Sequence, residues 1–244
     1  MSTVRSALCT MCFYVWSIFL ALVMFPMLFL PRPLFRYLVQ LWSEGNFLLF
    51  RFIIGIRVEV RGRQYIPVGP AIVASKHQSE WETLIFLRLL RDPVYIMKKE
   101  LTYIPGYGQF ARKMKMIFID RSGYAKTLRK LVQDARIATA AGRALVIFPE
   151  GTRVDPGKKL PYRPGIAALY GALDMPVTPV VLNSGLCWPK QSFRKYAGTI
   201  TIRFLEPIEP GLTRQEFMTH LEGVMENAAD ELMAESAEHQ QNIS

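Results

Sequence analysis

The sequence predicts an α/β domain, a mixed sheet flanked by helices, preceded by a hydrophobic helical segment that anchors the chain to a membrane. Three observations carry this reading. From Arg57 onward, short apolar runs of strand type alternate with helical patterns. From Ala7 to Leu30 no residue is charged. The chain has 244 residues, half of them hydrophobic, which suits one α/β domain with apolar surface to spare and argues against two soluble domains.

The charge-free run is long enough to cross a bilayer as one helix, at about 1.5 Å of rise per residue, although Pro26 and Pro31 interrupt it. Arg5 precedes it. The bulky Met27, Phe29 and Leu30 leave no small-x-small cleavage site at its end, so a retained anchor is expected rather than a removable signal peptide. A second apolar region, Leu34 to Ile56, carries Arg36, Glu44 and Arg51 among Trp42, Phe47, Phe50 and Phe52. Charges beside aromatics at that spacing suit a membrane interface. Two helices dipping into one leaflet, or one spanning helix followed by an interfacial one, both satisfy the pattern. The expected division is residues 1–56 for membrane attachment and 57–244 for a catalytic domain.

Strands are expected at Val58–Val60, Ala71–Ala74, Val94–Met97, Met116–Ile119, Ala144–Phe148, Val177–Leu182 and Thr199–Phe204, mostly short apolar runs of the kind a buried sheet contains. Helical patterns fall at Glu80–Leu90, Gly108–Lys113, Ala125–Ala141 and Pro164–Leu173. A closing helix begins near Thr213. In it Phe217, Leu221, Met225, Ala228 and Leu232 recur at helical spacing, with Glu222, Glu226 and Glu231 expected to face water and residues 235–244 expected to fray.

Thirty Lys and Arg against 20 Asp and Glu give a formal charge of +10, which favours an acidic partner without choosing among nucleic acid, anionic lipid, phosphorylated substrate and acidic carrier protein. Three cysteines, Cys9, Cys12 and Cys187, make no disulfide framework and favour a reducing, cytoplasm-facing domain. Cys9 and Cys12 lie in an apolar run where thiols pack as small hydrophobes. The Gly-rich phosphate loop, the G-x-S-x-G elbow and H-E-x-x-H are absent, which removes the sequence support for nucleotide hydrolysis, serine-hydrolase chemistry and zinc proteolysis.

Four segments could carry chemistry. Ser75-Lys76-His77-Gln78-Ser79-Glu80-Trp81-Glu82-Thr83 follows a strand and leads into a helix. On one helix His77 and Glu82 would stand about 140° apart. They can act together only if His77 sits in the preceding turn and Glu82 reaches back, a carboxylate then fixing the imidazole tautomer so that the other nitrogen takes a proton from an alcohol. Glu80 is a rival partner, and a structural reading makes His77 a helix cap with the glutamates favouring the dipole.

The second segment, Lys98-Lys99-Glu100-Leu101 with Ile104-Pro105-Gly106-Tyr107-Gly108, offers cations for phosphate and a turn whose backbone N–H groups could face a reacting carbonyl, or else a solvated basic loop. Arg121, after the next strand, adds a cation on the same edge. In the third, Phe148-Pro149-Glu150-Gly151-Thr152-Arg153, Arg153 offers a donor fork suited to a phosphate monoester, and Glu150 could orient Arg153 or simply pair with it. The fourth, Val177-Thr178-Pro179-Val180-Val181-Leu182, reads as an edge strand, a bulge or the wall of an acyl-chain tunnel.

In this order the four segments resemble the 1-acyl-sn-glycerol-3-phosphate (lysophosphatidate) acyltransferase family, which carries H-x4-D, a Lys-rich segment with a Pro/Gly turn, F-P-E-G-T-R and a V-x-P-V strand. The resemblance covers roughly residues 56–207. It implies a glycerol-3-phosphate acyltransferase-like fold and direct transfer of an acyl group from acyl-CoA or acyl carrier protein to the sn-2 hydroxyl of lysophosphatidic acid, giving phosphatidic acid, with no acyl-enzyme, metal or bound cofactor. His77 would be the base, with Glu82 standing where the family has Asp. Arg153 would bind the lysolipid phosphate, assisted by Lys98 and Arg121. Glu150, Gly151 and Thr152 would shape the acceptor site, and the turn at Gly106 would help hold the oxyanion. The implied location is a bacterial inner membrane with the catalytic domain on the cytoplasmic side, in contact with membrane lipids.

Two positions depart from the family pattern: Glu82 replaces Asp, and Lys76 stands where Asn commonly precedes the histidine. These leave room for another lysolipid acceptor, such as a lyso-ornithine lipid. A non-catalytic binder of nucleic acid or anionic lipid is disfavoured, because the cations cluster at strand ends beside a histidine and carboxylates.

Overall fold

The computed structural model describes residues 2–120 and 124–241. Its strands are β1 (Ile56–Arg61), β2 (Ile72–Ser75), β3 (Val94–Lys98), β4 (Ile117–Ile119), β5 (Leu145–Ile147), β6 (Val177–Leu182) and β7 (Gly198–Phe204). Its helices are α1 (Ser2–Met24), α2 (Arg32–Leu49), α3 (Glu82–Leu89), α4 (Tyr107–Lys113), α5 (Tyr124–Ala140), α6 (Gly165–Leu173), α7 (Ser184–Cys187) and α8 (Arg214–Gln241). A short 3-10 turn, Pro26–Phe29, joins α1 to α2, and a π-helical turn, Phe50–Ile54, leads from α2 into β1.

The seven strands form one mixed sheet in the order β1-β7-β6-β2-β5-β3-β4, parallel throughout except for the antiparallel β6–β7 pair. Strand alternation divides its core between two faces. Ile72, Ala74, Leu145 and Ile147 point to the face covered by α5, α6 and α8, where Leu131, Leu169, Phe217 and Leu221 are buried. Val73, Val146, Val180 and Ile202 point to the other, covered by α3 and by the N-terminal pair through Trp81, Phe47, Phe50 and Ile54. Each fully buried Leu or Phe in these layers stabilises the fold by about 1.5–3 kcal/mol, so the Phe47, Phe50 and Ile54 contacts hold the N-terminal helices firmly against the sheet.

The helix α1 lies along the domain instead of standing away from it. Ser6, Cys9, Leu20 and Met24 are buried, whereas Val4, Leu8, Met11, Val15, Ile18 and Leu22 are exposed along one stripe. Both ends are tied: the Lys195 N–H donates to Ser6 Oγ at 2.9 Å, and Leu20 and Met24 pack with Phe35 and Met114. This helix is long and apolar enough to cross a membrane by length and composition.

Three expectations change. Pro179 does not mark an edge: β6 lies inside the sheet between β7 and β2. The Pro179 carbonyl accepts from the Leu205 N–H at 2.9 Å, one residue past the end of β7, so the missing proline donor falls at the very end of that strand pair, where it removes a single terminal ladder bond. Residues 235–241 continue α8 instead of fraying, with Asn183 Nδ2 donating to Ser236 Oγ at 2.9 Å and Arg61 paired with Glu235. Finally, Glu226 does not face water; it is buried, with Lys76 as its partner.

Candidate active site

Strand β2 delivers His77 to the C-terminal edge of the sheet, and α3 begins only at Glu82. The loop between them lets the carboxylate fold back: His77 Nδ1 lies 2.9 Å from Glu82 Oε1. Glu82 is fully buried, and its charge is met by donors instead of a cation. The Gln78 and Ser79 N–H groups donate to Oε1, and the Ser79 and Ser184 hydroxyls donate to Oε2 at 3.0 and 2.8 Å. Such a carboxylate can fix an imidazole orientation without relying on solvent. Glu80, the rival partner, pairs with Arg153 instead.

The His77 ring stacks on Phe148, with centroids 4.0 Å apart and planes 17° from parallel. Its backbone is held on both sides by the segment that closes β5: the His77 N–H donates to Glu150 Oε2 at 2.9 Å, and the Val154 N–H donates to the His77 carbonyl at 2.7 Å. Between these bonds Gly151 takes φ +70°, the left-handed conformation that lets the chain turn within two residues. The two motifs, distant in sequence, thereby form one rigid corner.

Glu150 does not orient Arg153. Its Oε1 lies 2.6 Å from Lys76 Nζ, and that ammonium also donates to Glu226 Oε1 at 2.7 Å. The Tyr162 hydroxyl donates to Glu226 at 2.8 Å. The cluster is buried, which explains why Glu226 turns inward from α8: a lysine taken out of water at position 76 requires carboxylates around it. Burial pushes the Glu150 carboxyl above its ordinary range despite the neighbouring ammonium and the His77 N–H. Sequence reasoning missed this cluster, and missed Ser79 and Ser184 as Glu82 partners. The available signal was Glu226 directly following Met225, at the margin of the apolar stripe of α8.

His77, Phe148, Gly151, Thr152 and Arg153 line a cavity of about 850 Å³ together with Lys98 and Gly106, whereas Glu82 and Glu150, also expected at the site, are buried and form no part of its wall. Gly106 has φ +76° at the start of α4. Lys98 ends β3 and is exposed, while its neighbour Lys99 pairs with Asp120 at 3.4 Å. Arg121 lies outside the described residues. Arg163, not singled out in the sequence, also lines the cavity. From this polar end the cavity continues between the N-terminal helices and the domain, along Leu20, Met24, Trp42, Leu84 and Phe110. Val177–Leu182 contributes nothing to its wall, because its side chains are taken up by the two core layers. Among the described residues no group of three or more His, Cys, Asp or Glu side chains could hold a metal ion.

An imidazole backed by a buried carboxylate, cations lining the same cavity and an apolar extension suit proton removal from an alcohol carrying both an anionic group and a hydrocarbon chain. Comparisons with known proteins agree. Residues 57–183 match the family profile described as Acyltransferase. The chain is 34% identical over 213 residues to the 1-acyl-sn-glycerol-3-phosphate acyltransferase of Pseudomonas aeruginosa, covering 87% of this chain and 83% of that enzyme. It is 32% identical over 184 residues to the enzyme of the same name from Limnanthes alba, covering 74% of this chain and 65% of that one. The crystal structure of the 1-acyl-sn-glycerophosphate (LPA) acyltransferase PlsC from Thermotoga maritima superposes with a TM-score of 0.76 at 23% identity, covering 95% of this chain and 99% of that one, which shows a shared fold. The motifs, the meeting of the first three in one cavity and these likenesses converge: the chain is an acyltransferase and belongs to the 1-acyl-sn-glycerol-3-phosphate acyltransferase family.

Proposed function

We propose that the protein transfers a fatty acyl group from the thioester of coenzyme A or acyl carrier protein to the sn-2 hydroxyl of lysophosphatidic acid, forming phosphatidic acid. The single observation that carries this reading is His77, held by Glu82, opening onto the same cavity as Arg153 and Lys98. His77 Nε2, the nitrogen not engaged by Glu82, takes the hydroxyl proton as the oxygen attacks the thioester carbonyl. The tetrahedral oxyanion collapses, the C–S bond breaks, and the imidazolium returns its proton to the departing thiolate. No protein nucleophile and no metal or bound cofactor is assigned a step.

Arg153 grips the phosphate with its planar donor fork, with Lys98 and Arg121 assisting. Gly151 and Thr152 shape the acceptor site beside it, Glu150 holds the His77 backbone, and N–H groups at the Gly106 turn face the oxyanion. The apolar part of the cavity takes an acyl chain.

Residues 1–56 attach the catalytic domain, residues 57–244, to the cytoplasmic face of a bacterial inner membrane. Support for attachment comes from the exposed stripe of α1, continued by the exposed Phe25, Phe29 and Leu34. Because both ends of α1 are tied to the domain, an orientation in the plane of one leaflet fits better than a span.

A panel of donor and acceptor pairs tests the whole reading. Lysophosphatidic acid should react, His77→Ala should abolish transfer, and Arg153→Ala should raise KM for the acceptor far more than it lowers kcat. Equal rates with acceptors lacking phosphate, a lyso-ornithine lipid among them, would remove Arg153 from its assigned role and shift the acceptor. Retained turnover in His77→Ala would refute the assigned base.

A further inference from the structure

Away from the catalytic cavity, three guanidinium groups converge on one carboxylate. Arg32 Nη2 makes a two-pronged contact with Asp92 at 2.6 and 2.7 Å, Arg143 reaches the same carboxylate at 3.1 and 3.2 Å, and Arg36 approaches only to 3.8 Å. A surplus of two positive charges remains. The Arg143 side chain is almost fully enclosed and is spent on structure, donating to the carbonyls of Asp92, Pro93, Met114 and Lys115. Its pKa is drawn down to about 10 by burial, with Arg32 and Arg36 pushing in the same direction.

The two remaining arginines sit one turn apart at the start of α2, where the helix dipole is positive and the first turn holds no acidic residue. That placement is electrostatically unfavourable twice over. The Nε atoms of Arg32 and Arg36 are buried, and the side chains keep 24% and 30% of their surface exposed, which is where a ligand can approach. Around them Phe29, Leu30 and Leu34 are exposed, so the cations stand at the rim of the apolar surface. Neither arginine lines the catalytic cavity.

We infer that Arg32 and Arg36, backed by Asp92 and Arg143, form a binding site for the phosphate of an anionic membrane lipid, separate from the acceptor site. A phosphate at the exposed part of the two side chains would accept from their outer N–H groups and neutralise the surplus charge, while the buried Nε atoms stay out of its reach. Its acyl chains would lie beside Phe29, Leu30 and Leu34, which requires those residues to face lipid. The inference therefore rests on the membrane attachment proposed above.

Flotation of the full-length protein with vesicles of phosphatidylcholine alone, or of phosphatidylcholine with phosphatidylglycerol, tests both steps separately. The wild-type protein should bind both and prefer the anionic vesicles. Arg36→Gln, which gives up only a long contact, should lower the anionic partition coefficient about fivefold, and Arg32→Gln with Arg36→Gln about thirtyfold. Binding to neutral vesicles and acyl transfer in neutral detergent micelles should stay unchanged. An equal loss in Arg214→Gln, an exposed arginine at the start of α8, would overturn the site in favour of diffuse charge. Abolition of the anionic preference by millimolar inorganic phosphate at constant ionic strength would make it a free-phosphate site and also overturn it. A wild-type protein that floats with neither vesicle would overturn the membrane attachment itself. Binding to neutral vesicles with no arginine-dependent preference would sink only the lipid site.

Discussion

Two buried glutamates hold His77, and they do so in opposite ways. Glu82 grips the ring, surrounded by backbone N–H groups and two serine hydroxyls with no cation in contact. Glu150 grips the backbone N–H, and its other oxygen faces the ammonium of Lys76. A carboxylate satisfied by neutral donors keeps its charge directed at the imidazole, where it favours the imidazolium formed during proton transfer. A carboxylate whose charge is shared with a lysine acts mainly as a structural anchor. One residue type thus serves chemistry at one position and architecture at the other, and its partners decide which.

The largest effect should come from breaking the chemical half. Glu82→Ala should lower kcat by about a thousandfold or more with a small change in KM, because the imidazole loses its orientation and the partner of its positive charge. Glu82→Asp restores the family's usual residue but shortens the reach from the first turn of α3. It should recover only part of that rate. Full activity in Glu82→Ala, measured by steady-state kinetics at saturating donor, would place both glutamates in the architectural class.

Breaking the architectural half should act first on stability. Lys76→Met leaves Glu150 and Glu226 facing each other in a buried space with no cation between them. Removing one partner of a buried ion pair costs about 3–5 kcal/mol, which should show as a large fall in the denaturation midpoint. Adding Glu226→Gln to Lys76→Met should return part of the loss, a coupling that independent sites would not show.

The division between what the sequence disclosed and what it concealed follows the same line. Strands fall within two residues of expectation, since short apolar runs bounded by turns mark a buried sheet directly. The His77–Glu82 pairing was readable because both residues lie within one local segment whose loop-to-helix break can be inferred. Lys76–Glu226 was not, because it joins residues 150 apart, and a glutamate at the margin of an amphipathic stripe has no local mark of burial. Pro179 misled for a related reason: a proline is tolerated inside a sheet where the neighbouring strand has already stopped, a property of the partner chain segment rather than of the proline.

A smaller effect should follow from Glu150→Gln. The amide can still accept the His77 N–H, and because burial disfavours the ionised carboxyl it replaces, the change in stability at neutral pH should stay within about 1 kcal/mol. Its pH signature is more diagnostic than its size. Burial raises the Glu150 carboxyl in the folded protein above its value in the unfolded chain, so the folded state keeps the proton to higher pH. The contribution to stability is then greatest below the ordinary carboxylate value, falls as pH rises through the window between the two values, and is level above it. Urea denaturation across that window should show the decline in wild type and not in Glu150→Gln. An unchanged slope would assign the titration to another group.

The smallest predicted change in rate sharpens the contrast most. Ser184, from the short helix α7, donates to Glu82 Oε2 and does not line the cavity. Ser184→Ala removes one of two hydroxyl donors to that oxygen and should destabilise the fold by about 1–2 kcal/mol. If Glu82 holds the imidazole in place, freeing one of its oxygens from a donor should also lower kcat several-fold with KM unchanged. Ser184→Thr, which keeps the hydroxyl, should restore kcat wherever it folds. A kcat that stays in place while stability falls would show that Ser184 supports the fold alone, and that Glu82 is insulated from the packing on its far side.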